Sequence, residues 1–88
     1  MNSLTEMEYR ILDELYFLSS FESVIENLGE SKDLIIAGMK HLLENELIIQ
    51  VKMNAGKEEK LETPDYPALE KSFFVASKKG LILHNSIN

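Results

Sequence analysis

The chain has 88 residues, no cysteine and a formal net charge of −6. That length fits one domain with a small core, and the lack of cysteine excludes disulfides and cysteine-ligated metals. No segment approaches the roughly 18 apolar residues of a membrane span, and the N-terminus lacks the layout of a secretion signal, so we expect a soluble, cytoplasmic protein.

An amphipathic helix is predicted over residues 4–18, with Ser3 or Thr5 as its N-cap. Its apolar residues recur at spacings of three and four and form one stripe: Leu4, Met7, Ile11, Leu15 and Leu18. A second apolar line runs beside the stripe: Tyr9, Leu12 and Tyr16. Either the C-terminal segment or another subunit has to cover this second line.

A helix-turn-helix is predicted over residues 20–46. Its first helix runs from Phe21 to Leu28 and has Ser20 as its N-cap. Gly29 ends that helix, because glycine tolerates the left-handed backbone conformation found at helix ends. Ser31 is the N-cap candidate for the second helix.

The second helix is predicted from Lys32 to Asn45. Its buried line is Ile35, Met39, Leu42 and Glu46, with Leu34, Ile36, Gly38 and Leu43 beside it. The outward residues are Asp33, Ala37, Lys40, His41 and Glu44. A mid-helix glycine costs about 1 kcal/mol relative to alanine. Gly38 therefore indicates either close helix packing within the domain or the close approach of DNA or a partner.

Two strands are predicted downstream, over residues 47–53 and 73–76. Ser77 can then cap a short helix from Lys78 to about residue 85, which Gly80 weakens. The connection between the strands, 54–72, is long for a hairpin loop. It is either an enlarged, mobile tip, or residues 60–63 pair in part with the first strand. Residues 65–70 can form one helical turn that starts at Pro67.

Residues spaced between positions 28 and 80 resemble those of winged-helix transcriptional regulators of the MarR and ArsR type, and together with the leading helix the resemblance covers most of the chain. The matching positions are Leu28-Gly29, Ser31, Ile35, Met39, Leu42, Leu47-Ile48 and the segment 73–80, FFVASKKG. The resemblance implies an α+β, mostly helical fold with a three-helix core, a β-hairpin wing and a short C-terminal helix. The whole chain, 1–88, would be one such domain, with the helix-turn-helix at 20–46 and the wing at 47–77.

The resemblance also implies a transcriptional regulator that binds duplex DNA as a homodimer, with the second helix in the major groove. The polar and basic residues placed to contact DNA are Ser31, Lys32, Lys40, His41, Lys52, Lys57 and Lys60. The apolar residues placed to form a dimer interface are Tyr9, Leu12, Tyr16, Leu81 and Leu83.

The charge pattern favours an alternative function. Six acids and one base give residues 1–27 a charge of −5, whereas six lysines and five acids give residues 47–88 a charge of +1. The predicted recognition helix has no arginine, and Asp33 and Glu44 on its outward face would repel phosphates. The alternative is a winged-helix protein-interaction module that does not bind DNA, with the acidic first helix or the proline-containing wing as its contact surface.

No pattern typical of an enzyme is present. Asp13 and Glu14 are adjacent on a helix and diverge by about 100°, and the Glu58-Glu59 pair lies in the long connection. The two histidines, His41 and His84, have no metal-ligand spacing, and we expect both on the surface. We therefore expect no catalytic residues, no metal and no cofactor.

Overall fold

The computed structural model describes residues 4–86. In chain order the elements are α1 (Glu6–Glu14), β1 (Ser19–Ser20), α2 (Phe21–Leu28), α3 (Lys32–Glu44), β2 (Ile48–Asn54), β3 (Lys57–Lys60), a 3-10 helix (Tyr66–Lys71), β4 (Phe73–Ala76) and α4 (Lys78–Ser86). Helices pack beside a four-stranded antiparallel sheet of order β1-β4-β2-β3. The predicted α+β class is confirmed for these residues.

Local capping signals place α2 and α3 where the sequence predicts them. The Ser20 hydroxyl oxygen accepts a hydrogen bond from a first-turn amide of α2 at 3.1 Å. Gly29 adopts the left-handed conformation, with φ of 65°, after Leu28. The Ser31 hydroxyl oxygen caps α3 in the same way at 3.3 Å, and α3 ends at Glu44, one residue before its predicted end.

The first helix ends at Glu14, so the prediction that it continues to residue 18 is wrong. The carbonyl oxygen of Leu15 accepts a hydrogen bond from the Ala76 amide at 2.8 Å, and the chain then turns into β1, which pairs with β4. The backbone after Glu14 forms hydrogen bonds with the sheet instead of helical ones. The helix therefore ends there, although the apolar side chains continue with helical spacing. Leu15 is nevertheless fully buried.

The long connection forms a hairpin and then a return segment, residues 61–72, which leads back to the sheet. Residues 57–60 pair with residues 51–54 across an Ala55-Gly56 turn. The predicted pairing of this connection with the first strand is thus confirmed, but it involves residues 57–60 rather than the predicted residues 60–63. The return segment contains a 3-10 helix in which Pro67 is the second residue rather than the first.

A buried glutamine fastens the return segment to the sheet. The side-chain nitrogen of Gln50 donates to the Asp65 carbonyl oxygen at 3.0 Å and to Ser72 Oγ at 2.8 Å. Its Oε1 accepts from the Asp65 amide at 2.9 Å. Gln50 is buried, and these bonds offset the cost of removing its amide from water. Two residues of this segment, Asp65 and Ser72, are thus bonded to the sheet through one side chain.

The C-terminal helix starts at the predicted residue and packs closely on the junction between α3 and β2. Ser77 Oγ accepts from the Gly80 amide at 3.0 Å, as expected of a cap. A Cβ added at Gly80 would lie 2.0 Å from the carbonyl oxygen of Leu47. Glycine is thus required there, because no side chain fits between α4 and this backbone.

Candidate functional site

The residues predicted to contact DNA lie on two parts of the molecule. Those at the start of α3 or along it are Ser31, Lys32, Lys40 and His41; those on the β2–β3 hairpin are Lys52, Lys57 and Lys60. Most of them have partners within the chain, and these partners decide how much positive charge each part presents.

At the start of α3, the two predicted phosphate contacts are already engaged. Ser31 Oγ accepts the Leu34 amide as the helix cap. Lys32 Nζ lies 2.9 Å from Glu70 Oε1, and both side chains are exposed. The hydrogen bond and the charge of Glu70 raise the pKa of Lys32. This end of α3 therefore presents an ion pair rather than an isolated cation.

Two more lysines lie close to groups in the return segment. Lys40 Nζ is 5.8 Å from the centre of the Tyr66 ring, which is cation–π distance. Lys52 Nζ lies 2.5 Å from Asp65 Oδ2. The hydrogen bond from Lys52 lowers the pKa of Asp65. Both lysines thus help to hold the 3-10 helix region against α3 and the sheet.

The remaining two lysines, Lys57 and Lys60, lie at the ends of β3. Both are exposed, and neither forms an ion pair with another residue among 4–86. Glu58 and Glu59 lie between them on the same strand, and Glu59 accepts a hydrogen bond from Asn54. The strand itself therefore has two positive and two negative side chains and no net charge.

His41 is bound to a buried carboxylate of α1. The backbone amide of Thr5 donates to Glu8 Oε1 at 2.9 Å, and the Glu8 amide donates to Thr5 Oγ1 at 3.1 Å. These reciprocal bonds form a capping box, which identifies Thr5 as the cap; Ser3 lies outside the described residues. His41 Nδ1 contacts Glu8 Oε2, and the Glu8 side chain is only 4% exposed. The carboxylate thereby connects the N-terminus of α1 to α3.

Next to this contact is an open apolar groove of about 410 Å³ between α1 and α3. Its lining residues are Thr5, Met7, Glu8, Leu34, Ala37, Gly38 and His41. We call it the α1–α3 groove. Leu34 is 56% exposed at its edge, although the sequence placed this residue beside the buried line of α3. The outward face of α3 thus includes apolar surface that the sequence pattern does not predict.

Gly38 allows the two helices that form the groove to approach each other. A Cβ added at Gly38 would lie 2.8 Å from Ile11 Cδ1 and 3.5 Å from Met7 Cγ. Of the two explanations offered for this glycine, close packing within the domain is the one observed. Ala37, its neighbour, is exposed in the groove.

The residues predicted to form a dimer interface pack within the chain. Leu12 is fully buried in the core, so it offers no surface to a second subunit, and its assignment to the interface is wrong. Leu81 and Leu83 are partly buried against the same core. Tyr9 stacks on the His84 ring of α4, with ring centres 4.1 Å apart. Of the two covers predicted for the second apolar line, the C-terminal segment is the one found.

Tyr16 joins this contact through its hydroxyl group, which lies 2.7 Å from His84 Nδ1 and 3.0 Å from Asn85 Oδ1. His84 is buried, contrary to its predicted position on the surface. Two large apolar side chains near this contact are exposed: Phe17, which follows Tyr16, is 83% exposed, and Ile82 on α4 is 60% exposed. Dimerisation through the rest of this surface stays a prediction.

Neither a protein-family model, a curated protein nor a solved structure matches this chain. Within residues 4–86, no helix is both long and apolar enough to cross a bilayer. In the same part of the chain, no three metal-binding side chains come together as a metal site. The function therefore has to be argued from the groove, the hairpin and their charges.

Proposed function

We propose that this domain is a protein-interaction module of the winged-helix type, which binds its partner through the α1–α3 groove. The observation that carries the proposal is the exposure of Leu34 in an apolar groove on the outward face of α3. Exposed apolar surface in a concave site is typical of contacts with other proteins.

Two features support the winged-helix assignment. The order of three helices, a hairpin and a short C-terminal helix is the one the resemblance implies. The short strand β1 pairs with β4, which also pairs with β2, so the sheet connects the first helix to the wing. β3 adds a strand to the wing beyond this arrangement.

The charge distribution favours a protein partner over DNA. Base reading in the major groove uses donors such as arginine and lysine, and on α3 the two lysines lie beside Glu70 and Tyr66. The outward positions Asp33 and Glu44 are acidic and exposed. A phosphate backbone would meet repulsion along this helix.

A photo-crosslinking experiment in cells of the source organism tests the proposal. A photoreactive amino acid is placed at Ala37, in the groove, and, as a matched control, at Lys57 on the hairpin. We expect one defined protein adduct from position 37 and none from position 57. Adducts to DNA, or the same weak adducts from both positions, would rule out a groove-bound protein partner.

A second candidate is the duplex-DNA-binding regulator, acting as a homodimer. It is favoured by one observation: Lys57 and Lys60 project from the hairpin without an ion pair among the described residues. Fluorescence anisotropy with a mixed-sequence duplex at low salt tests it. Two phosphate contacts would give a salt slope of about −2, and replacing both lysines by glutamine would abolish binding. For either function we propose a cytoplasmic location, which the cysteine-free composition suits.

A further inference from the structure

The α1–α3 groove has the length of a short helical contact. Its α3 side runs from Leu34 to His41, which at a helical rise of 1.5 Å per residue is about 10 Å, or two turns. Leu34 and Met7 supply aliphatic surface, and the groove beside Ala37 has an open volume of about 410 Å³. A side chain of leucine or methionine size therefore fits between the two helices.

The groove is held in shape before any partner binds. The Glu8 carboxylate accepts from the Thr5 amide and contacts His41 Nδ1, so both helices share one buried anchor at this end. Gly38 packs directly against Ile11 of α1. A preformed site loses less conformational entropy on binding, so a short contact can suffice.

The backbone around the groove excludes binding of a peptide by strand addition. Both walls are helices, whose amides and carbonyls are bonded within the helix, whereas an added strand needs the free edge of a sheet. The sheet edges, β1 and β3, belong to a different part of the fold. A partner helix satisfies its own backbone and can present only side chains, which is what this groove accepts.

Three exposed acids are close in sequence to residues that line the groove, and we call these acids its acidic rim. Glu6 at the start of α1 and the outward residues Asp33 and Glu44 of α3 are exposed, whereas Lys40 lies over Tyr66. Residues 1–46 contain ten acids and three bases. Charge complementarity therefore favours lysine and arginine on the partner.

We infer that the α1–α3 groove binds a basic amphipathic helix of another protein, whose aliphatic side chains pack against Leu34 and Met7. This inference rests on the proposed function and names its partner class. The acidic rim attracts the basic face of that helix and sets its orientation, while the apolar contact supplies affinity.

Three synthetic peptides of about five turns test the inference by fluorescence anisotropy against the full chain. The first is a helix-forming peptide with leucine on one face and lysine and arginine on the other. The second has the same composition in scrambled order, so it has no apolar face. The third keeps the leucine pattern and replaces the basic residues by glutamate. We expect the first to bind at least about tenfold more tightly than the others.

A matched pair of variants then locates the contact. Leu34→Ser removes apolar surface from the groove, and Met53→Ser removes it from a hairpin position that is also exposed, at 44% against 56% for Leu34. Both side chains are exposed, so both variants should fold, which circular dichroism checks. We expect Leu34→Ser to weaken binding of the first peptide about tenfold and Met53→Ser to leave it unchanged.

Chemical-shift mapping of the labelled domain separates the possible failures. Shifts confined to the groove, at Met7, Leu34, Ala37, Gly38 and His41, agree with the inference. Equal binding of all three peptides, or equal loss with both variants, overturns it. Binding mapped to the hairpin or to Phe17 also overturns it, while leaving the proposed interaction function standing. Absence of peptide binding together with a photo-crosslink at position 37 means a partner of another class.

Discussion

The α1–α3 groove and the β2–β3 hairpin differ in how their charged side chains are held. At the groove, the Glu8 carboxylate is buried and binds groups of both helices. On the hairpin, Glu58 and Glu59 are exposed beside Lys57 and Lys60. The hairpin has the charges expected of a nucleic-acid contact, but acids neutralise them. The groove combines apolar surface with an acidic rim and is rigidly supported, so the helices are the better candidate for recognition.

The largest expected effect comes from Gly80, which supports both regions. Its Cα faces the Leu47 carbonyl where α3 leads into β2, and α4 also covers α1. In Gly80→Ala the new methyl group would meet backbone at 2.0 Å, so we expect a loss of about 3 kcal/mol or more in the free energy of unfolding. Urea denaturation followed by circular dichroism measures it.

Gly38→Ala is the control for this substitution. Its new methyl group would meet Ile11 Cδ1, the movable end of a side chain, and alanine favours the helix by about 1 kcal/mol. We expect a net change within about 1 kcal/mol. A loss as large as that of Gly80→Ala would contradict the contrast between backbone and side-chain contacts.

Replacing Glu8 tests the support of the groove. Glu8→Ala removes the capping box and leaves His41 and the Thr5 amide without their acceptor. We expect a loss of about 2 kcal/mol in the free energy of unfolding. Glu58→Ala changes the same residue type on the exposed hairpin and should stay within about 0.5 kcal/mol. Equal losses in thermal denaturation would mean that burial does not distinguish the two carboxylates.

A smaller effect, of opposite sign, is expected at the junction between α3 and β2. Glu46 has a φ of 60°, a left-handed conformation that costs most L-residues about 1 kcal/mol, and its side chain is exposed. Glu46→Gly should therefore raise the free energy of unfolding by about 1 kcal/mol. Glu44→Gly, at the last residue of α3 and with an exposed side chain, should lower it, because glycine is unfavourable in helical conformation. Urea denaturation of both variants measures the two changes. A variant Glu46→Gly that is less stable than Glu44→Gly would contradict the prediction.

The smallest effect concerns the Lys52–Asp65 pair on the hairpin side. Because the hydrogen bond from Lys52 lowers the pKa of Asp65 below its ordinary value of 3.8, the pair stabilises the fold above that pH. Its contribution is lost as the pH falls through the folded-state pKa. A carbon-detected NMR titration should place the Asp65 midpoint below 3.8, and Lys52→Met should raise it. A midpoint unaffected by Lys52→Met would rule out this cause.

Elements set by neighbouring residues could be predicted from the sequence. Ser20 and Ser31 each cap a helix by accepting a hydrogen bond from the amide three residues further along the chain. Gly29 ends a helix because glycine adopts the left-handed conformation readily. These interactions are local, so their residue spacing is visible in one dimension. The capping box of Thr5 and Glu8 is equally local, because its two residues are three positions apart in the segment T-E-M-E.

The candidate site could be predicted only in part. His41 was identified as an outward residue of α3, but its contact with Glu8 joins positions 33 residues apart. The pairing of Lys32 with Glu70 spans 38 residues, so the sequence counted as free a charge that the fold neutralises. The helical period predicts that Leu34 lies beside the buried line of α3, but it does not determine how much of that side the neighbouring helix covers.

By itself, the sequence determined α2 and α3 with their caps, the strands β2 and β4 and the acidic balance of the first half of the chain. Only the tertiary structure decided where α1 ends, which lysines are paired, what covers Tyr9 and Leu12, and that α1 and α3 leave a groove between them. The reason is physical: caps and turns depend on a few adjacent residues, whereas sheet pairing, ion pairs and burial depend on groups that only folding brings together.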